Sequence, residues 1–278
     1  MTTENLAYAG FSALDRVRAL GRLARTTSSP LAFGVREFAA RAGRAASVRS
    51  PGTTYGVRGH TPIALRHGTA DIRLAFDILI ARQYEPPAQV RAALQDIPDA
   101  SAVDLGGNIG LFTVYASRAL GIDDWVVYEP DPTNLPLLRA NMARLEVARP
   151  PRLVEACAGV RDGVVRFDTG NFLSSRVLGV DEVAEGTGDT ELPVRDAIPD
   201  IVAADLVKVD IEGSEWDLLA DERLDGLRAR ALFIEYHPWG CPGDEPAAVV
   251  TERLRGLGFT VQVLMEFPDG MGELWAWR

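Results

Sequence analysis

Lysine is almost missing from this chain. Of its 29 lysine and arginine residues only Lys208 is a lysine, so arginine carries every other cationic side chain of that pair. Cysteine is nearly as scarce: Cys157 and Cys241 are too few for a disulfide framework and lack the clustered partners of a structural zinc site. No run of about 18 consecutive apolar residues occurs, which leaves no candidate membrane-spanning helix, and the first residues lack the uncharged apolar core of a signal peptide. Basic residues are outnumbered by 39 acidic ones, for a net charge of -10. Phosphate backbones and anionic membrane surfaces therefore repel the protein as a whole. These shortages predict a soluble cytoplasmic protein with no nucleic-acid partner.

What is present is enough chain, 278 residues, to bury about three quarters of its unfolded surface. Residues 1–50 are locally basic, with Arg16, Arg18, Arg22, Arg25, Arg36, Arg41, Arg44 and Arg49 against Glu4, Asp15 and Glu37. Phe11, Leu14, Val17, Leu20 and Leu23 recur at helical spacing, and a second helix is expected over 31–42. These helices read as a cap on the core, a lid, or a homodimer arm. Residues 50–61, with Pro51, Gly52, Gly56 and Gly59, read as a linker. The expected division is a helical extension and linker over 1–60 and one domain over 61–278. His60 and His67, in polar glycine-containing stretches, read as surface residues.

Residues 71–84 carry Ile72, Ala75, Phe76, Leu79 and Ile80 on one helical face. From residue 101 onward strands and helices alternate, the pattern of an α/β parallel sheet. Strands are expected at 102–106, 125–129, 152–156, 205–210 and 230–236, and helices near 109–120, 132–145 and 214–220. Residues 258–267 and 272–278, joined by Pro268, Asp269 and Gly270, read as a C-terminal antiparallel pair. Residues 171–199, rich in glycine, serine, threonine and acid, read as a binding loop.

The chemistry centres on AVDLGGNIGLF, residues 102–112. A strand, a glycine turn and a helix N-terminus cradle a ligand, here through Gly106, Gly107, Asn108, Gly110 and Phe112. A dinucleotide fingerprint needs its second glycine where Asn108 stands, and Asp104 would oppose a phosphate. S-adenosylmethionine suits the turn better, because it has no phosphate and its ammonium and sulfonium are cationic. Glu129, ending the apolar run WVVYEP, can accept both ribose hydroxyls, while Asp104 holds the other end of the cofactor.

With Asp104, Gly106, Asn108 and Gly110 in D-x-G-x-N-x-G and with LVKVDIEGSEWDLL at 206–219, the sequence resembles the FkbM family of S-adenosylmethionine-dependent methyltransferases. Gly107 replaces the family's usual alanine. The lead-in RHGTADIRLAFDILIARQYEPP at 66–87 is also similar, and the resemblance extends from residue 66 to 278. It implies a Rossmann-like class I methyltransferase fold, mostly parallel with a C-terminal antiparallel pair, and a natural-product or sugar acceptor. NFLSSR, residues 171–176, resembles a family stretch expected near cofactor or acceptor.

In such sheets ligands lie beyond the carboxyl ends of the strands. His237, following the strand ALFIEY, is expected as the base because its ordinary pKa is near neutral. Asp210 is expected to orient the acceptor hydroxyl or the cofactor amine, with Glu235 nearby and Tyr84 at the methionine end. Ala158 lies in the stretch 156–159 expected against adenine. Glu212 and Glu215 read as facing solvent or a helix start. Lys208 and Asp210 share a strand face, which predicts a pairing of Lys208 with Asp104 or Asp210. Asp210, Glu235 and His237 would suit magnesium but match no metal signature, and no metal ligand is assigned. The expected function is O-methylation of a small hydroxylated acceptor. A non-catalytic scaffold of the same fold is the alternative. A nicotinamide oxidoreductase is disfavoured by Asn108 and by Ala204, which stands where a tyrosine would precede Lys208 by four.

Overall fold

The computed structural model describes residues 13–43, 52–168, 177–178 and 189–278. Its order begins with helices α1 (Ala13–Thr26) and α2 (Pro30–Ala42), a hairpin of β1 (Thr53–Val57) and β2 (His60–Leu65), and helices α3 (Asp71–Leu79) and α4 (Ala88–Gln95). There follow β3 (Ser101–Leu105), α5 (Leu111–Leu120), β4 (Asp124–Tyr128), α6 (Leu135–Met142), β5 (Arg152–Val154), β6 (Cys157–Gly159), β7 (Gly163–Asp168), β8 (Val177–Leu178) and β9 (Asp189–Asp196). The last third comprises α7 (Ile198–Ala203), β10 (Leu206–Val209), α8 (Glu215–Ala220), a short 3-10 turn (Glu222–Gly226), β11 (Ala231–Tyr236), α9 (Pro246–Gly256), β12 (Thr260–Glu266) and β13 (Gly272–Trp277).

Seven strands form the main sheet in the order β12-β13-β11-β10-β3-β4-β5. The five from β11 to β5 run parallel, and β13 enters antiparallel between β11 and β12. This is the α/β plan with a closing antiparallel pair expected from the sequence. Strand periodicity of two divides the core. Ala102, Leu206, Phe233, Trp125 and Trp275 face the N-terminal helices, the hairpin, α3, α5 and α6. Val103, Leu105, Val207, Ile234 and Leu274 face α7, α8 and α9. Even-numbered Asp104 and Lys208 fall on the first face and are paired in register across β3 and β10. A smaller sheet, β6-β9-β7-β8, flanks the main one.

Three readings need correction. The expected linker 50–61 contains β1 and the start of β2: Thr53, Thr54, Tyr55 and Val57 are good strand residues, and Gly59, at φ +81°, makes the hairpin turn. His67 is buried rather than exposed, because Glu37 of α2 reaches Nδ1 at 3.1 Å and the Tyr55 hydroxyl lies 2.8 Å from Nε2. His60 is half-buried. The end of the 171–199 connection is regular, since β9 pairs with both β6 and β7, while 171–176 and 179–188 lie outside the described residues. Helices α4 and α9 are further additions; Val90 and Leu94 in one, and Val250 and Leu254 in the other, give each a buried row at i, i+4. No described helix is long and apolar enough to cross a membrane.

Candidate active site

A cavity of about 220 Å³ opens beyond the carboxyl ends of β3, β4, β10 and β11. Its floor is the glycine turn. Gly106 is left-handed at φ +80°, and a Cβ there would overlap the carbonyl oxygen of Asp210. The amides of Gly106 and Gly107 donate to the Tyr128 carbonyl at 3.1 and 2.8 Å, which binds the turn to β4. A Cβ at Gly107 would meet Val127, so the alanine usual in the resembled motif has no room here. Asn108 is also left-handed, at φ 49°. Gly110 caps α5 with its back against Met142 and is not a wall of the cavity.

Beneath the turn lies Lys208. Its Nζ is 3.2 Å from Asp104 Oδ1 and 3.3 Å from Asp210 Oδ2, and it donates to the carbonyls of Leu105 and Gly106 at 3.2 and 2.7 Å. Burial opposes the ammonium, but Asp104 and Asp210 hold its pKa well above the ordinary value. Both pairings expected for Lys208 are therefore made. The same contact corrects the role expected of Asp104. Fully buried, it accepts from Thr113 Oγ1 at 2.7 Å and holds Lys208, and it does not line the cavity.

At the other end Glu129 lines the cavity. Its carboxylate accepts from the Asn108 amide at 2.7 Å, the Asp131 amide at 2.8 Å and Asn134 Nδ2 at 3.2 Å. Burial nevertheless pushes it up to about 7. Ala156, Cys157 and Ala158 make a wall of small side chains beside it, leaving width for a flat ring. Burial, with Glu129 nearby, raises the Cys157 thiol to about 12, so it is inert at neutral pH.

The opposite wall is acidic: Asp210, Glu212, Glu235 and Glu273 converge there with Gln83 and Tyr84. The Tyr84 hydroxyl donates to Glu235 Oε2 at 3.2 Å, and Gln83 donates to Glu273. Burial and like charge push Glu235 to about 7 and Glu273 to about 9, and raise Glu212 well above its ordinary value. The ring of Phe112 also faces this space, 6.1 Å from that of Tyr84. Sequence reasoning missed Gln83 and Glu273, although a lone carboxylate in the apolar run GELWAW was a signal for the second.

His237 does not stand where a base is needed. It is fully buried behind the acidic wall and is not part of the cavity surface. Nδ1 lies 3.1 Å from Glu215 Oε1, and Nε2 lies 3.4 Å from Glu212 Oε2 and 3.9 Å from Glu235 Oε1. Burial disfavours its charge, but Glu215, Glu212 and Glu235 outweigh burial and push the imidazole up to about 10. Of Glu212 and Glu215, expected toward solvent or a helix start, Glu215 is the first residue of α8 but is fully buried as a partner of His237, and Glu212 is a cavity wall. Residues 171–176 lie outside the described residues.

The donor set fits S-adenosylmethionine: a strand-end carboxylate for a ribose, a turn without room for side chains, small residues for adenine and acids for cationic groups. Among solved structures, the chain is similar to methyltransferase FkbM from Methylobacillus flagellatus KT, at 17% identity and TM-score 0.47, over 74% of this chain and 52% of that one. It thus spans about half the length of that protein. It is also similar to a SAM-dependent methyltransferase from Agrobacterium tumefaciens, at 11% identity and TM-score 0.45, over 82% and 70% of the two chains. A third is TYW2 of M. jannaschii in complex with AdoMet, at 12% identity and TM-score 0.43, over 82% and 84%. No curated protein sequence matches it. Residues 104–261, more than half of the chain and all of the glycine turn, β10 and the acidic wall up to Glu235, match the methyltransferase FkbM domain, and the chain belongs to that family.

Proposed function

We propose that the protein is an S-adenosylmethionine-dependent O-methyltransferase acting on a hydroxyl of a small, neutral, polyhydroxylated acceptor, a natural product or a sugar. The observation that carries the reading is the acidic wall of Asp210, Glu212, Glu235 and Glu273. Buried, crowded acid groups disfavour a further negative charge on the acceptor and exchange hydrogen bonds with hydroxyls.

When bound, S-adenosylmethionine supplies a methyl group on a cationic sulfur. Glu129 would accept from the ribose hydroxyls, the side-chain-free glycine turn would let the cofactor approach the backbone closely, and Ala156 and Ala158 would lie against adenine. Asp210, steadied by Lys208 at 3.3 Å, would hold the amine or the acceptor. Transfer to a hydroxyl forms one O–C bond, breaks one S–C bond with its electron pair left on sulfur, and releases one proton. Glu235 is our choice to take that proton. Raised to about 7, it matches the basicity that general-base catalysis requires at neutral pH, and Tyr84 orients it through a 3.2 Å hydrogen bond.

The reading is of a cytoplasmic enzyme. Two free cysteines among the described residues support it. Leu31, Val35 and Phe38, exposed along one face of α2, support a homodimer through the N-terminal helices, which sedimentation at two concentrations tests.

The decisive experiment incubates purified protein with S-adenosylmethionine and a panel of neutral polyols, sugars and polyketides, and measures S-adenosylhomocysteine. Glu235→Gln is expected to lower turnover by about 10²–10⁴-fold with cofactor affinity retained in calorimetry. Binding of NADH in place of S-adenosylmethionine, or methylation confined to nitrogen or carbon acceptors, would overturn it.

A further inference from the structure

We infer that Asp210, Glu212 and His237 form a divalent-cation site behind the acceptor end of the cavity, with Glu235 at its margin. One carboxylate oxygen each from Asp210 and Glu212 and a ring nitrogen of His237 lie within 4.8 Å of one another. Ligands about 2.0–2.6 Å from a common cation have separations of that size.

The histidine is the strongest part of the case. Glu215 Oε1 accepts from the His237 backbone amide at 2.8 Å and lies 3.1 Å from Nδ1. With one proton held on Nδ1 by that carboxylate, a cation that displaces the Nε2 proton would meet a lone pair directed away from Glu215. This is the supporting arrangement that metal-ligating histidines use. Nε2 is buried and has no hydrogen-bond partner among the described residues. It faces Glu212 Oε2 at 3.4 Å and Glu235 Oε1 at 3.9 Å, which is where a cation would sit.

The backbone agrees. Glu212 is held in the left-handed region at φ 54°, although it is not glycine, and the next residue, Gly213 at φ +100°, lies under the indole of Trp239. Strain of this kind is retained where the side chain must point one way, and here it keeps a carboxylate in the cavity wall. The charge balance points the same way. Asp210, Glu212, Glu235 and Glu273 crowd one end, while Lys208 is occupied by Asp104 and Asp210. A divalent cation among them would offset that crowding of acidic groups.

Two carboxylates and one imidazole favour Mn2+ over Mg2+, which takes oxygen ligands and sheds water reluctantly. Asp210 and Glu212 are side chains of the cavity wall, 24% and 18% exposed, so open coordination positions would face the acceptor. A cation there would orient an acceptor hydroxyl and make its proton easier for Glu235 to remove. That role rests on the O-methyltransferase reading; the site itself does not.

The test titrates MnCl2 into the full chain after chelator treatment and follows free Mn2+ by electron paramagnetic resonance. One tightly bound Mn2+ per chain is expected, with spin-echo modulation from an imidazole nitrogen. Glu215→Gln should weaken binding by about ten- to a hundredfold and Glu212→Gln by at least as much. Cofactor titration of Glu212→Gln checks that the variant is folded. Absence of stoichiometric Mn2+, absence of nitrogen coupling, or unchanged affinity in both variants would overturn the site and leave His237 as an imidazolium paired with Glu212. Cofactor binding without Mn2+ binding defeats the cation site alone, whereas Mn2+ binding without cofactor binding defeats the methyltransferase reading alone.

Discussion

Nζ of Lys208 lies 3.2 Å from Oδ1 of Asp104, with the lysine side chain 3% and the aspartate 0% exposed. The pair is the internal support of the cofactor turn, since the same ammonium donates to the carbonyls of Leu105 and Gly106. Removing the cation leaves two acids without it, one of them fully buried. Lys208→Met is expected to cost about 3–5 kcal/mol, read as a lower urea midpoint.

Lys208→Arg keeps the charge and changes its shape. A planar guanidinium cannot place one compact donor between two carboxylates and two carbonyls. Unfolding and cofactor titration should both show a loss, smaller in stability than for the methionine variant. An arginine variant equal to wild type in both would refute the idea that the single lysine is required.

Gly106→Ala tests the turn. The left-handed backbone alone costs a non-glycine residue about 1–2 kcal/mol, and the new methyl would collide with the Asp210 carbonyl. We expect cofactor binding to be lost to calorimetry with secondary structure retained in circular dichroism. Gly163→Ala, at a site with open space around it, is the control and should bind normally.

Glu129 predicts a pH dependence. On the proposed reading it must be ionised to accept from both ribose hydroxyls, and burial pushes its carboxyl up to about 7. Affinity for S-adenosylmethionine should therefore weaken by up to about tenfold per pH unit below 7. That slope should vanish in Glu129→Gln, which binds weakly at every pH. Stability of the free protein follows the opposite sign. The proton that Glu129 retains when folded favours the folded state below about 4.5, its ordinary value, and this contribution is lost as pH rises to about 7.

Arg66 and Asp71 form a buried two-point pair, with Nε to Oδ2 at 2.8 Å and a second guanidinium nitrogen to Oδ1 at 2.9 Å. Arg66 also donates to the Thr133 carbonyl and to Asn134, which ties β2 and α3 to the entry of α6. Asp71→Ala strands a buried guanidinium and is expected to cost about 3–5 kcal/mol in thermal unfolding. Arg66→Lys cannot restore the fork.

The turn, Glu129 and the Lys208 pairing were legible because local signals suffice: a strand, glycines and a helix in sequence, and a period of two along one strand. The acidic wall was not. Glu273 reaches it only because β13 inserts beside β11 and sets Glu273 opposite Glu235, a register no neighbouring residue announces. His67 is buried by Glu37 from another helix, and composition around the histidine could not reveal that partner. Pro51, Gly52, Gly56 and Gly59 suggested a linker, yet Gly59 marks a hairpin turn, and the strand signal lay in Thr53, Thr54, Tyr55 and Val57. Reading His237 by its ordinary pKa failed for the same nonlocal reason, because three glutamates enclose it.

The position of β13 also bears on how the protein is made. Each parallel strand can settle beside its neighbours as the ribosome delivers it, but residues 272–277 arrive after β12 and must slot between β12 and β11. Until then β11 offers an open edge carrying Phe233 and Ile234, both fully buried in the finished sheet. Such edges are where growing chains associate wrongly. Slowed translation through the last strand would prolong that exposed state, and a ribosome stalled before Gly272 would hold a chain whose glycine turn is already synthesised but whose sheet is still open.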